Sequence, residues 1–455
     1  MSPEVRALDA SEIDALIDAL GDASPVNYAP PSIYPMSAPA FAAASDADRG
    51  AQPKGPLGVY VHVPFCNYKC TFCFYATRSV PDAREMARYV AALERELSWI
   101  RPGTALTQLY VGGGTPTALP PDLLDRLLGS VFARVVRGPE VCTVECSPES
   151  LTEEHVRVVA RHGVERVSMG VQTTDEKVLE TTHRRHDNRQ VAEACERVVL
   201  AGLLLNIDLI YGLPGQTEAA FRADFEAVAG MGVHSVTCYN LRVNEKTSIG
   251  RLIPDAARLD AVRLVRWREA ALDVAHGCGF EQTRPHTFRR VEPRTAADAA
   301  RRFRDDTGRG EQFGAGVSAR SRLRDTVYRN TKEYGGYLAR VEGGRSPVEE
   351  IRALNDVERR LRFVTLTLGD GRPLERDAYE RAFATPFDDD FGACARRLVE
   401  EGVVVDDGRR LDLSERGRLV YDLAIRAFYP EPVRRWMEER RRLVESSPNL
   451  RPRAR

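Results

Sequence analysis

From Leu57 onward, short apolar runs rich in Val, Ile and Tyr alternate with stretches whose apolar side chains recur about every three to four positions. The runs predict strands at 58–63, 108–112, 141–146, 166–171, 205–210 and 235–241. The periodic stretches predict helices at 83–100, 121–133, 153–161, 189–201 and 217–230. Strand and helix in strict alternation imply a parallel sheet, and six such units point to an α/β fold built as an incomplete (β/α)6 barrel.

The pattern is weaker on either side. Residues 1–55 carry a short amphipathic stretch at 10–20, then Pro25, Pro30, Pro31 and Pro35, and read as an arm or linker. The core is expected over 56–255, and a helical and irregular extension over 256–345 includes an arginine-rich stretch at 282–309. Residues 346–440 return to helical periodicity, interrupted by a hairpin pattern at 403–413 around Asp406-Asp407-Gly408. That combination predicts a mostly helical, winged-helix-like domain, and 441–455 reads as a tail.

Composition narrows the classes. The chain has 455 residues, 43% of them hydrophobic, and a formal net charge of −1. No basic excess points to nucleic acid or an anionic membrane. No segment approaches the roughly 18 apolar residues of a membrane span, and the start lacks the pattern of a secretion signal, so a cytoplasmic protein is expected. Its nine cysteines are odd in number and mostly scattered, unlike a disulfide framework.

Three of them are not scattered. Cys66, Cys70 and Cys73 share one loop after the first strand, a grouping that suits three corners of a 4Fe-4S cube with the fourth iron left open. A zinc knuckle completed by His62 or Cys146, or three unrelated thiols, are the alternatives. The remaining unusual residues fall at the same rim: Gly112-Gly113-Gly114-Thr115-Pro116 after strand two, Glu145 at the end of strand three, Gln172 after strand four, Asp208 and Tyr211 on strand five, Tyr239 on strand six. Parallel barrels carry their working residues at that end.

The cysteine spacing, with Phe72 before the last cysteine, resembles the radical S-adenosylmethionine (radical SAM) superfamily. The resemblance implies a TIM-like partial barrel, a 4Fe-4S cluster ligated by Cys66, Cys70 and Cys73, and S-adenosylmethionine as cosubstrate. It places Gly113, Gly114, Thr115, Glu145 and Gln172 around that molecule, with Asp208 facing adenosine or substrate, while Tyr60 and Tyr75 are candidates to stack on it, core packing being the alternative. The segments 60–66, 112–117, 168–172, 208–215, 239–241 and 314–318 extend the resemblance to the oxygen-independent coproporphyrinogen III oxidase-like branch. That branch implies a second S-adenosylmethionine, expected near Arg184.

Three activities occur in the branch. The decarboxylases carry a fourth cysteine where this chain has Tyr75, and the haem-chaperone relatives carry a His-Asn-x-x-Tyr-Trp segment where this chain has 289–309. These departures point to the third, a class C methyltransferase or cyclopropanase that transfers a methyl or methylene group to an sp2 carbon. Its partners would be an aromatic or heteroaromatic small molecule and a flavodoxin- or ferredoxin-type electron donor. Coproporphyrinogen decarboxylation and a non-catalytic haem or cluster carrier are the alternatives.

Overall fold

The computed structural model describes residues 11–12, 15–16, 53, 55–79, 81–138, 141–243, 247–252, 261–292 and 310–436. Most of the predicted arm, the tail, and residues 293–309 of the arginine-rich stretch lie outside them. The chain forms two compact bodies, Met36–Tyr239 with Arg290–Ala353, and Met1–Pro35 with Asn240–Arg289 and Leu354–Arg455.

In the first body six parallel strands lie side by side in chain order: β1 Leu57–Val63, β2 Thr104–Gly113, β3 Thr143–Cys146, β4 Arg166–Gln172, β5 Leu204–Tyr211 and β6 Ser235–Asn240. The helices α1 Ala83–Leu97, α2 Pro121–Phe132, α3 Glu153–Arg161, α4 Asn188–Leu200 and α5 Glu218–Gly230 alternate with them. Strands of such a sheet are buried on both faces and read as nearly continuous apolar runs. Val59, Val61 and Val63 of β1 are buried on one face, as are Leu205, Ile207 and Leu209 of β5, while Tyr60 and Asp208 alternate with them on the other.

Helix starts follow local chemistry. Thr152 and His155 form a reciprocal cap on α3, and Asp187 and Gln190 do the same on α4, so orphan N–H groups find side-chain acceptors. Two boundaries differ from the sequence pattern. β2 begins at Thr104 because Thr104–Leu106 pairs with the short parallel strand Val135–Arg137. α1 ends at Leu97 although its periodicity runs on, because Ile100 stays buried while its N–H turns back to the Leu97 carbonyl at 3.0 Å.

The sheet does not close. On the far side of β1 lies β7 Glu311–Ala315, parallel to it, followed by the antiparallel run β8 Arg320–Leu323, β9 Thr326–Asn330 and β10 Val348–Ala353. The helix α6 Tyr334–Glu342 joins β9 to β10. The path β6-β5-β4-β3-β2-β1-β7-β8-β9-β10 is thus an open α/β sheet, a partial barrel extended at one side. β1 sits between two partners, with Tyr60 beside Tyr110 on one edge and Gly314 on the other.

The second body combines helices with a small antiparallel sheet. Helices α7 Asp356–Gly369, α8 Arg376–Phe383 and α9 Phe387–Glu400 pack with a three-stranded antiparallel sheet, β11 Leu374–Glu375, β12 Val404–Asp406 and β13 Arg410–Leu413. Leu361, Val364, Leu368, Tyr379, Leu398 and Leu411 form its core, and Leu16 is buried in the same cluster. Among the described residues of the predicted arm, Leu16 belongs to this core. Among the described residues no helix is long and apolar enough to cross a membrane.

Candidate functional site

The loop after β1 carries the three thiols, and none is in a disulfide. Its course is set by hydrogen bonds at both ends. The His62 ring donates from Nε2 to the Ala76 carbonyl at 2.9 Å and accepts at Nδ1 from the Tyr60 hydroxyl at 2.9 Å. Both ring nitrogens are thus engaged, and burial holds the imidazole below its usual titration range, so His62 is a brace and not a zinc ligand. Further on, Arg78 N donates to Pro64 O at 2.7 Å and Thr71 N to Thr182 O at 3.2 Å.

The second loop is locked to the first. Gly114 N donates to Val63 O and Thr115 N to Phe65 O, each at 2.7 Å, and Gly113 N donates to Glu145 Oε2 at 3.0 Å. A Cβ on Gly113, whose φ is +113°, would meet the His62 ring at 2.5 Å, and one on Gly114 would meet Phe65 O at 2.6 Å. The glycines therefore let the two loops touch. Their N–H groups are spent within the protein, so the loop can offer a ligand only its carbonyl side.

The cysteines have polar company of one kind. Thr115 Oγ1 lies 3.6 Å from Cys66 Sγ, and Arg184 Nη1 lies 3.6 Å from Cys70 Sγ. Burial pushes the Cys66 thiol up to about 12 and raises that of Cys73. Undissociated thiols in such a place lose their protons when a metal binds. Among the described residues no three His, Cys, Asp or Glu side chains converge on a single ion. A cube offers each thiolate a different iron, so convergence is not what it requires, and the hydroxyl and guanidinium beside the sulfurs suit thiolate ligands. The donor set fits the cluster.

Across the barrel interior runs a polar belt built by strand alternation. Tyr60 and Tyr110, neighbours in register, have ring centroids 6.3 Å apart. The Tyr110 hydroxyl donates to Glu145 Oε1 at 2.5 Å, and burial raises the Glu145 carboxyl above its ordinary value. Asp208 accepts from Ser168 Oγ at 3.2 Å and from Asn206 Nδ2 at 2.8 Å; burial, with Glu145 nearby, pushes it up to about 7. Asn206 Oδ1 accepts in turn from Ser235 and Thr237.

Gln172 follows a bulge in β4 and has a φ of 75°, rare for a residue with a side chain. Its amide lies over Gly170, where a Cβ would come within 2.7 Å of Nε2. Arg184 donates to the Gly170 carbonyl as well as to Cys70, and its guanidinium carbon is 5.8 Å from the Tyr68 ring centroid. Its Nε, the Tyr68 hydroxyl, Glu149 Oε2 and both His186 nitrogens are buried without hydrogen-bond partners.

The expected residues thus come together at one end of one body: Tyr60, Glu145, Gln172 and Asp208 around the belt, Gly113, Gly114 and Thr115 beside the cysteines, Arg184 at Cys70. Phe72 is half-buried within the cysteine loop. Sequence reasoning passed over Tyr110, Ser168 and Asn206. Their signal was present: each stands one or two strand periods from a chosen residue, on the inward face of an apolar strand.

Fold and site together define a radical SAM protein, and residues 60–228 match the sequence model of the Radical SAM superfamily. Within that superfamily the chain's relatives support the coproporphyrinogen III oxidase-like branch. The chain is 26% identical to the heme chaperone HemW of Lactococcus lactis over 80% of this chain and 94% of that protein. With the oxygen-independent coproporphyrinogen III oxidase of Cereibacter sphaeroides the identity is 29%, over 73% and 78%. The solved structure of coproporphyrinogen III oxidase (HemN) from Escherichia coli superimposes with a TM-score of 0.74 at 24% identity, over 87% of this chain and 96% of that one. Membership implies a 4Fe-4S cluster and S-adenosylmethionine.

These relatives correct the methyltransferase or cyclopropanase expectation, since they are named for haem and coproporphyrinogen. The expectation rested on two departures, Tyr75 and the 289–309 segment. Each argued against a rival; neither identified a methyl acceptor.

Proposed function

We propose that this chain cleaves S-adenosylmethionine at a 4Fe-4S cluster held by Cys66, Cys70 and Cys73 and acts on coproporphyrinogen III or a closely similar tetrapyrrole, as an oxygen-independent oxidase. The observation that carries it is the cysteine loop braced by His62 and the Gly113–Thr115 backbone, at the end of the barrel where Glu145 and Asp208 gather. Cys66, Cys70 and Cys73 would hold the cluster, which would pass one electron from an external donor to the sulfonium.

The chain's own residues bind and orient. Carbonyls of the Gly112–Gly114 stretch face the methionine ammonium group, Glu145 and Gln172 hold ribose hydroxyls or the amino group, and Tyr60 covers the adenosine side. Arg184 directs a guanidinium N–H at Cys70 Sγ, 3.6 Å away. The second S-adenosylmethionine would need Arg184 to give up its hold on Cys70 or Gly170, and equilibrium binding stoichiometry decides between one molecule and two. The electron donor is taken to be of the flavodoxin or ferredoxin type.

The test is anaerobic reconstitution followed by assay with coproporphyrinogen III. Expected are 5′-deoxyadenosine, release of CO2, and loss of both in Cys66→Ala, Cys70→Ala and Cys73→Ala. A second reading, haem carriage, is favoured by the 94% coverage of the Lactococcus chaperone. Tight stoichiometric haem binding without CO2 release would select it.

A further inference from the structure

Phe74 and Tyr75 follow the last cysteine directly and are 43% and 56% exposed, large aromatic rings left facing solvent. They stack on each other, with centroids 4.7 Å apart and planes 26° from parallel. Their loop is not slack. Tyr75 N–H donates to Cys73 Sγ, the next carbonyl, Ala76, is taken by His62, and Arg78 N is tied to Pro64 O. A pinned backbone holding two exposed rings in register is a built surface.

The surface has a direction. Phe74 and Tyr75 are the two residues after Cys73, in the loop that leaves β1 at the end where the site residues gather. The exposed rings therefore stand next to the Cys73 thiol in chain, on the solvent side of the cysteine loop. A flat electron-rich ring stacks favourably on offset aromatic faces, and every pyrrole of a tetrapyrrole is such a ring.

We propose that Phe74 and Tyr75 form a stacking platform for a pyrrole ring of the substrate and set which part of it reaches the cluster. This rests on the tetrapyrrole reading above. Tyr75 thus gives this chain an aromatic contact at the position where the decarboxylases of the branch carry their fourth cysteine.

The experiment uses the full chain with its cluster reconstituted anaerobically, and coproporphyrin III as the probe, titrated by fluorescence quenching. Phe74→Leu and Tyr75→Leu should each weaken binding roughly tenfold, Tyr75→Phe should stay within about twofold, and iron content should be unchanged in all three. Equal binding by the Leu variants overturns the platform. So does loss of iron in them, which would make the rings a cover for the cluster, or a Tyr75→Phe variant as weak as Tyr75→Leu, which would assign the effect to the hydroxyl. If the unsubstituted chain binds no coproporphyrin yet produces 5′-deoxyadenosine, the tetrapyrrole reading falls and the platform with it; platform failure alone leaves that binding intact.

Discussion

Glu96 is a buried acid outside the site, 2% exposed, and three donors converge on it: Tyr337 Oη at 2.6 Å, Gly316 N at 2.8 Å and Asn330 Nδ2 at 2.7 Å. Beside it, Tyr89 Oη donates to His62 O and accepts from Val317 N, so the network reaches the brace of the cysteine loop. Burial pushes Glu96 up to about 7 from an ordinary value of 4.5. The folded chain thus binds a proton more tightly than the unfolded one, and stability falls as pH rises from about 4.5 through about 7. The midpoint of thermal unfolding should drop across that window. Glu96→Gln should flatten the drop while costing roughly 1–3 kcal/mol at pH 5, because its amide must face one of the donors. Gly113→Ala is a second residue-scale test. Its methyl would collide with the His62 ring at a φ of +113°, so roughly 1–3 kcal/mol of stability should be lost together with iron binding, read by denaturant titration and iron content.

At the scale of elements, alternation and capping were legible and partnership was not. β1 through β6 announce themselves because strands buried on both faces must be apolar, and Thr152 with His155 or Asp187 with Gln190 mark helix starts. β7 to β10 were not foreseen. Gly314-Ala315-Gly316 looks like a turn in sequence, yet Glu311–Ala315 runs parallel to β1, because Gly316 fits only where His62 O leaves no room for a side chain. In the second body, Arg268 donates to both oxygens of Asp422, at 2.9 and 3.1 Å, and to Leu419 O at 2.6 Å. The two charged side chains are 6% and 5% exposed. Asp422→Ala strands the guanidinium, and urea unfolding should show a loss of about 3–5 kcal/mol.

Across the whole molecule the superfamily was readable in three cysteines, whereas the reaction was not. Spacing reports ligand chemistry because each thiolate must reach its own iron; the substrate is chosen by the walls of the barrel mouth, and no short motif encodes their shape. The candidate site residues stand out by their position at strand ends, whereas Tyr110 and Asn206 pass for ordinary strand residues until register sets them beside Glu145 and Asp208.

β1 has a neighbour on each edge, and the strand alone carries the chain into the cysteine loop. Withdrawing the metal therefore empties a loop without unzipping a sheet. Chelator-treated protein should keep its far-ultraviolet circular dichroism and a cooperative melt, and take iron and sulfide back without refolding; for this chain, cofactor assembly is a late event performed on a finished scaffold.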